Sequence, residues 1–121
     1  MNSANIGENF LQKLQARDFD SLQDLFQSNV TGRLLITPGL MTVYDSTNLA
    51  KKIKSWFGNA DHFELMNSKI SFVADRLAVN YKFKLHENNV WYECEQQTFS
   101  EINDEKIKSF DLLCSGFQKI E

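Results

Sequence analysis

Between residues 77 and 117, apolar and polar positions alternate in three runs separated by short polar stretches. That is the period-two pattern of half-buried strands. In the first run Leu77, Val79, Tyr81, Phe83 and Leu85 alternate with Ala78, Asn80, Lys82, Lys84 and His86. Asn88-Asn89 suits a hairpin tip, because Asn tolerates positive φ. A two-residue tip pairs Glu87 with Val90 and sets Lys84 across from Glu93 and Lys82 across from Glu95. A slip of one residue would turn Phe83 and Leu85 onto that charged side, so the register is well specified.

The next tip falls at Asp104-Glu105. Continued without interruption, it places Asp111 opposite Thr98, Leu113 opposite Gln96 and Ser115 opposite Cys94. A turn over residues 74–77 pairs Phe72 with Val79 and Ile70 with Tyr81. One face of the sheet then collects Tyr81, Phe83, Cys94, Gln96, Thr98, Asp111, Leu113 and Phe117. The other collects Lys82, Lys84, Trp91, Glu93, Glu95, Phe99, Phe110, Leu112 and Cys114.

Upstream the period changes. Asn5 with Glu8 has capping-box spacing, followed by an apolar stripe of Phe10, Leu11 and Leu14. Asp18 opens a second helical segment with Phe19, Leu22, Leu25 and Phe26, ended by Ser28-Asn29. Residues 30–36 are apolar and β-branched around Gly32 and Arg33, a short strand closed by the turn dipeptide Pro38-Gly39. Residues 40–44 form a connection or a second short strand. Asp45 or Ser46 caps a third helix, with Leu49, Ile53, Trp56 and Phe57 as its stripe and Gly58 as its stop. Its Lys51, Lys52 and Lys54 read as a solvated face. Residues 62–73 form a long strand whose apolar parity changes from Phe63 and Leu65 to Ile70 and Phe72. A β-bulge near residues 66–68 reconciles the two halves.

Composition narrows the class. The 121 residues fit one domain over 1–121, and ten Phe supply ample core. A net charge of −3, with scattered Lys and Arg, argues against a nucleic-acid binder. No run reaches the ~18 apolar residues of a membrane span, and the start lacks a signal-peptide pattern, so a cytoplasmic protein is expected. Two cysteines, expected on opposite faces and unbonded, read as small hydrophobes. No C-x-x-C or His cluster suggests a metal, and no cofactor motif is present.

The stretches ENFLQKLQARDFDSLQDLF, GRLLITPGL, LAKKIKSWFG and DLLCSGF carry a resemblance over nearly the whole chain. The sequence resembles the nuclear transport factor 2-like, or SnoaL-like, superfamily, and a bacterial subgroup of it without an assigned reaction. The resemblance implies an α+β fold: a cone-shaped barrel with three N-terminal helices packed on a curved antiparallel sheet. It also implies a pocket, within a range of isomerases, cyclases, dehydratases, an epoxide hydrolase and plain binding modules. The steroid isomerases of that superfamily place a Tyr on the first helices, whereas the tyrosines here are Tyr44, Tyr81 and Tyr92. No catalytic set carries over.

Asp111 is the candidate acid/base, since a carboxylate on an apolar face needs a partner or a proton. The bland alternative is a structural Asp bonded to Thr98, Gln96 or Arg33. Arg33 is either an anion hook or that partner. Tyr81, Gln96 and Thr98 are polar tips suited to orienting a ligand, or a satisfied buried network. Tyr44 and Trp56 are ligand platforms or core. The function expected is binding of a small apolar ligand, with general acid/base isomerisation, cyclisation or dehydration as the enzymatic version. A non-catalytic ligand-binding or dimeric accessory module is the alternative. Trp91, Phe99, Phe110 and Leu112 would leave an apolar outer patch, so a homodimer through the outer sheet face is expected.

Overall fold

The computed structural model describes residues 3–36 and 39–120. Helix α1 (Ser3–Ala16) starts two residues before Asn5, so the expected Asn5 cap lies inside the helix. It buries Ile6, Phe10, Leu11 and Leu14 along one stripe. Helix α2 (Phe19–Gln23) is capped by Asp18, whose carboxylate accepts the Ser21 N–H. It is shorter than expected, because strand β1 (Phe26–Ile36) takes up Phe26 and runs through Ser28-Asn29. The three- and four-residue spacing of Leu22, Leu25 and Phe26 was ambiguous, and pairing with the sheet decided it. Strand β2 (Gly39–Val43) follows; Pro38 of the expected turn lies outside the described residues. Helix α3 (Ser46–Phe57) is capped by Asp45 and ends at Gly58. A Cβ on Gly32 would stand 3.1 Å from Leu49 Cδ1, so that glycine lets α3 lie close on β1.

Strands β3 (His62–Val73), β4 (Arg76–Glu87), β5 (Val90–Asn103) and β6 (Lys106–Cys114) form a meander, and the short β7 (Gln118–Lys119) pairs with β5. The sheet order is β2-β1-β6-β5-β4-β3. β1 and β6 run parallel, so the sheet is mixed rather than wholly antiparallel as expected. The helices cover one face: α1 packs on β3 and β4, and α3 on β1 and α2. The result is three helices on a curved, unclosed sheet, the cone-type α+β arrangement.

The β4–β5 register is the one the charges and the Asn tip imply. Glu87 faces Val90, Lys84 faces Glu93 and Lys82 faces Glu95. Asn88 and Asn89 have φ of 54° and 64°. The close ion pairs are different ones: Lys82 reaches diagonally to Glu93, and Lys84 pairs with Glu64, its direct neighbour on β3. A bulge in β3 falls between Leu65 and Asn67, where the parity break placed it. The 74–77 turn is tighter than expected, so Ile70 faces Val79 and Phe72 faces Leu77. That error of two positions preserves every face.

β6 departs from expectation by one position, and the consequence is large. Its tip is at Asp104-Glu105, with φ of 53° and 64° and no glycine. Ile102 then faces Ile107, but Glu101 faces Ser109, leaving Lys108 unpaired as a bulge. Asp111 therefore faces Phe99, Leu113 faces Gln97 and Cys114 faces Gln96. Asp111 and Leu113, expected inside, lie on the outer face. Phe110, Leu112 and Cys114, expected outside, are buried.

Deleting Lys108 removes the extra residue and should abolish cooperative urea unfolding. Lys108→Ala keeps the residue count at an exposed position, so its midpoint should stay near wild type. Equal midpoints for the two variants would refute the assignment of the bulge.

Candidate functional site

The inner face of the sheet is filled by aromatic rings. Phe83 lies 4.6 Å from Phe57 and 5.0 Å from Phe63, centroid to centroid, and Phe10 lies 6.0 Å from Tyr81 and 5.7 Å from Phe110. Little free space remains deep in the cone. An open cavity of about 220 Å³ persists at its mouth, lined by Ile36, Trp56, Cys114, Gly116 and Phe117. Three elements build it: the end of β1, the last turn of α3, and the chain as it leaves β6. Phe117 closes one side, its ring near Phe57 and Phe83.

A string of buried polar groups runs inward from the cavity floor. Cys114 Sγ accepts a hydrogen bond from Gln96 Nε2 at 3.4 Å, and Gln96 Oε1 accepts from the Tyr81 hydroxyl at 2.6 Å. Cys94 Sγ lies 3.4 Å from Cys114 Sγ. Burial pushes the Tyr81 phenol well above its ordinary pKa, so it stays protonated and donates. Cys114 is pulled down to about 6, first by the Cys94 thiol that donates to it, then by Gln96 and the Gly116 N–H. Cys94 is pushed up by that same donation and by burial.

Of the residues singled out in the sequence, Trp56, Gln96 and Tyr81 come together along this line. Thr98 is equally buried but serves the sheet, its hydroxyl donating to the Val79 carbonyl at 2.9 Å. Tyr44 is exposed beyond the end of β2. Arg33 and Asp111 are on the outer face, where the guanidinium makes a two-pronged contact: Nε to Oδ1 at 2.8 Å and Nη2 to Oδ2 at 2.6 Å. The parallel register makes these two residues direct neighbours. An acid/base pointing into the cone was expected at Asp111; the bulge at Lys108 turns it outward. Among the described residues, no Asp or Glu is buried. The residues that sequence reasoning missed are Cys94 and Cys114, set on opposite faces by the one-position error. The available signal was Ile107 at odd parity against Phe110, Leu112 and Cys114 at even parity.

No family model matches the chain, and no curated protein matches it. Solved structures do. IdmH of Streptomyces antibioticus, a candidate polyketide cyclase, superposes with a TM-score of 0.78 at 11% identity, covering 95% of this chain and 93% of that one. An LEH-like epoxide hydrolase of M. tuberculosis gives 0.70 at 16%, covering 92% and 80%. An NTF2-like protein of Burkholderia xenovorans gives 0.71 at 12%, covering 93% and 88%. The chain thus has the nuclear transport factor 2-like cone fold. No helix among the described residues is long and apolar enough to cross a membrane.

Tyr81→Phe leaves the Gln96 carbonyl oxygen buried without its donor. That should cost about 1–3 kcal/mol of stability in urea unfolding. A variant as stable as wild type would show that the string is not maintained by this bond.

Proposed function

We propose that this chain is a binding module that holds a small, mostly apolar molecule at the mouth of the cone and works as a homodimer. The observation that carries the binding reading is the 220 Å³ cavity between Trp56, Ile36 and Phe117. It is smaller than the roughly 300–1,000 Å³ of ordinary ligand pockets. Its ligand is therefore compact, or only part of it enters. The polar string behind the floor offers one soft acceptor at Cys114 and no carboxylate. With no carboxylate beside the ligand, binding is favoured over the carboxylate-driven isomerisation, cyclisation or dehydration considered from sequence.

The dimer reading rests on the outer face. Leu35, Leu40, Phe99 and Leu113 are 46%, 67%, 59% and 47% exposed, and with Arg33 and Asp111 they line one continuous depression. Small monomers rarely leave larger apolar patches in water. Of the set named from sequence, Phe99 lines this depression and Trp91 lies away from it against His62 and His86; Leu35 and Leu113 replace the buried Phe110 and Leu112.

Anilinonaphthalene sulfonate serves as the probe for the mouth. Its fluorescence on wild type should be saturable, and Ile36→Glu, which puts a charge in the mouth, should weaken binding at least tenfold. Leu113→Glu, on the outer face, should leave the mouth component unchanged. Loss of the signal in Leu113→Glu but not Ile36→Glu would place the probe outside and sink the reading.

Light scattering at micromolar concentration should give a dimer for wild type and a monomer for Leu113→Glu. The interface should exceed about 1,000 Å² in total. A wild-type monomer would overturn the dimer without touching the cavity.

A further inference from the structure

Cys94 and Cys114 are the chain's two cysteines, and both are free thiols. Their sulfurs lie 3.4 Å apart, beside the buried Gln96 amide. Cys94, opposite Phe83, is on the inner face by the β4–β5 register, and the bulge at Lys108 turns Cys114 to the same face. Each residue also lines a separate opening. Cys114 forms the floor of the mouth cavity. Cys94 lines a groove of about 470 Å³ with Lys82, Glu93, Ser115 and Gln118, where β6 has ended and β7 has begun.

We propose that Cys94 and Cys114 are an oxidation site for hydrogen peroxide, closing into an intramolecular disulfide beneath the mouth of the cone.

The oxidant class follows from access. Cys94 and Cys114 are 1% and 4% exposed, so a protein disulfide or bulky hydroperoxide does not reach them, whereas a two-oxygen molecule enters either opening. The roles follow from the hydrogen bonds. Cys114 accepts from Gln96 Nε2 and from the Gly116 N–H, two donors that stabilise a thiolate there, and a Cys114 thiolate would leave the Cys94 thiol to donate across the 3.4 Å contact. Its pKa, drawn down to about 6, leaves it mostly ionised at neutral pH. Cys94 is pushed up and keeps its proton. The other ionisable groups facing the pair are the neutral Tyr81 from β4, Glu95 from β5, and Lys82 and Glu93 at the groove rim.

In the first step Cys114 thiolate attacks one peroxide oxygen and the O–O bond breaks. The sulfur becomes a sulfenic acid, and hydroxide leaves to take up a proton as water. In the second step Cys94 sulfur, losing its proton, attacks the sulfenic sulfur, and the S–O bond breaks to release a second water. Two thiols are oxidised by two electrons and one peroxide is reduced to two waters. The sulfurs must approach by about 1.4 Å to reach the ~2.05 Å of a disulfide. Cys114 is the last residue of β6 and Ser115 is still tied to Glu95 of β5, its N–H donating to the Glu95 carbonyl at 2.9 Å, so the approach falls to the two side chains rather than to the backbone.

The site does not depend on the ligand or dimer readings. The full chain is treated with hydrogen peroxide under native conditions, then denatured and alkylated. The expected result is joint loss of both alkylatable thiols, a mass lower by two hydrogen atoms, and one cross-linked peptide joining Cys94 to Cys114, all reversed by dithiothreitol. In Cys94→Ser the reaction should stop at a sulfenic acid on Cys114 that dimedone traps. Cys114→Ser should leave Cys94 as a thiol under the same exposure. The wild-type rate should rise with pH through about 6 and be about tenfold lower at pH 5 than at pH 7. Two thiols surviving peroxide, a disulfide between chains only, or a sulfinic acid on Cys114 beside free Cys94 would each overturn the proposal.

Discussion

Lys108 lies between two residues of β6 that pair with adjacent residues of β5: Ile107 with Ile102, and Ser109 with Glu101. One strand thus advances by two residues while its partner advances by one. Side chains alternate along a strand, so everything after Lys108 has the opposite side from the one a regular ladder would give. Phe110 enters the core, where its ring meets Phe26 at 5.3 Å and Phe10 at 5.7 Å. Leu112 and Cys114 follow it inward, and Asp111 and Leu113 go out. The parallel strand β1 obeys the same division: Val30 and Leu34 are inside, and Arg33 and Leu35 are outside. The outer ion pair and the inner pair of thiols are two consequences of one inserted residue.

The ring packing on the inner face fills much of the cone behind its mouth. Phe57 and Phe83 each stand about 4.6–6.3 Å from one another and from Phe63 and Phe117, at several angles. Filling the cone this way places large apolar area in the core of a small chain, where burial fractions are modest. The same filling leaves few polar atoms inside, and those that remain are satisfied in series. Tyr81 donates to Gln96, Gln96 donates to Cys114, and Thr98 donates to a β4 carbonyl. A buried amide accepting from a phenol and donating to a sulfur has both ends occupied, which is the condition under which a polar group in a core is tolerated.

The legible parts of this fold were those with two independent signals. The β4–β5 register had charge complementarity and an Asn-Asn tip, and both agreed. The β3 bulge had apolar residues of one parity on each side of it. α3 had a cap, a stripe and a stop. β6 had conflicting signals. Ile107 speaks for one parity and Phe110, Leu112 and Cys114 for the other. Leu113 and Phe117 then side with Ile107, because an exposed leucine and a mouth-lining aromatic look like core in a sequence. The error at the 74–77 turn was of two residues and moved no side chain across the sheet. The error in β6 was of one residue, and it misplaced Asp111 and separated the cysteines. The fold survived because it depends on element types and order, which a register slip does not change. The inward placement of Asp111 did not, because it depends on which side of a strand a single residue faces.

The Arg33–Asp111 pair carries a last consequence of that geometry. Exposed to water, a two-pronged contact of this kind adds little to stability, because both ions were well solvated before they met. Its surroundings are apolar, however: Leu35, Phe99 and Leu113 stand around it on the outer face. Covering that face with a second copy would strip water from the ions, and the mutual hydrogen bonds would then have to replace it. Two N–H groups already meet two carboxylate oxygens, so each ion would enter the interface with its strongest partner in place. Apolar contact would supply the driving force, while the fixed position of two charges would penalise any docking that left them off their partners. An ion pair too weak to matter to one chain would in this way select the orientation of two.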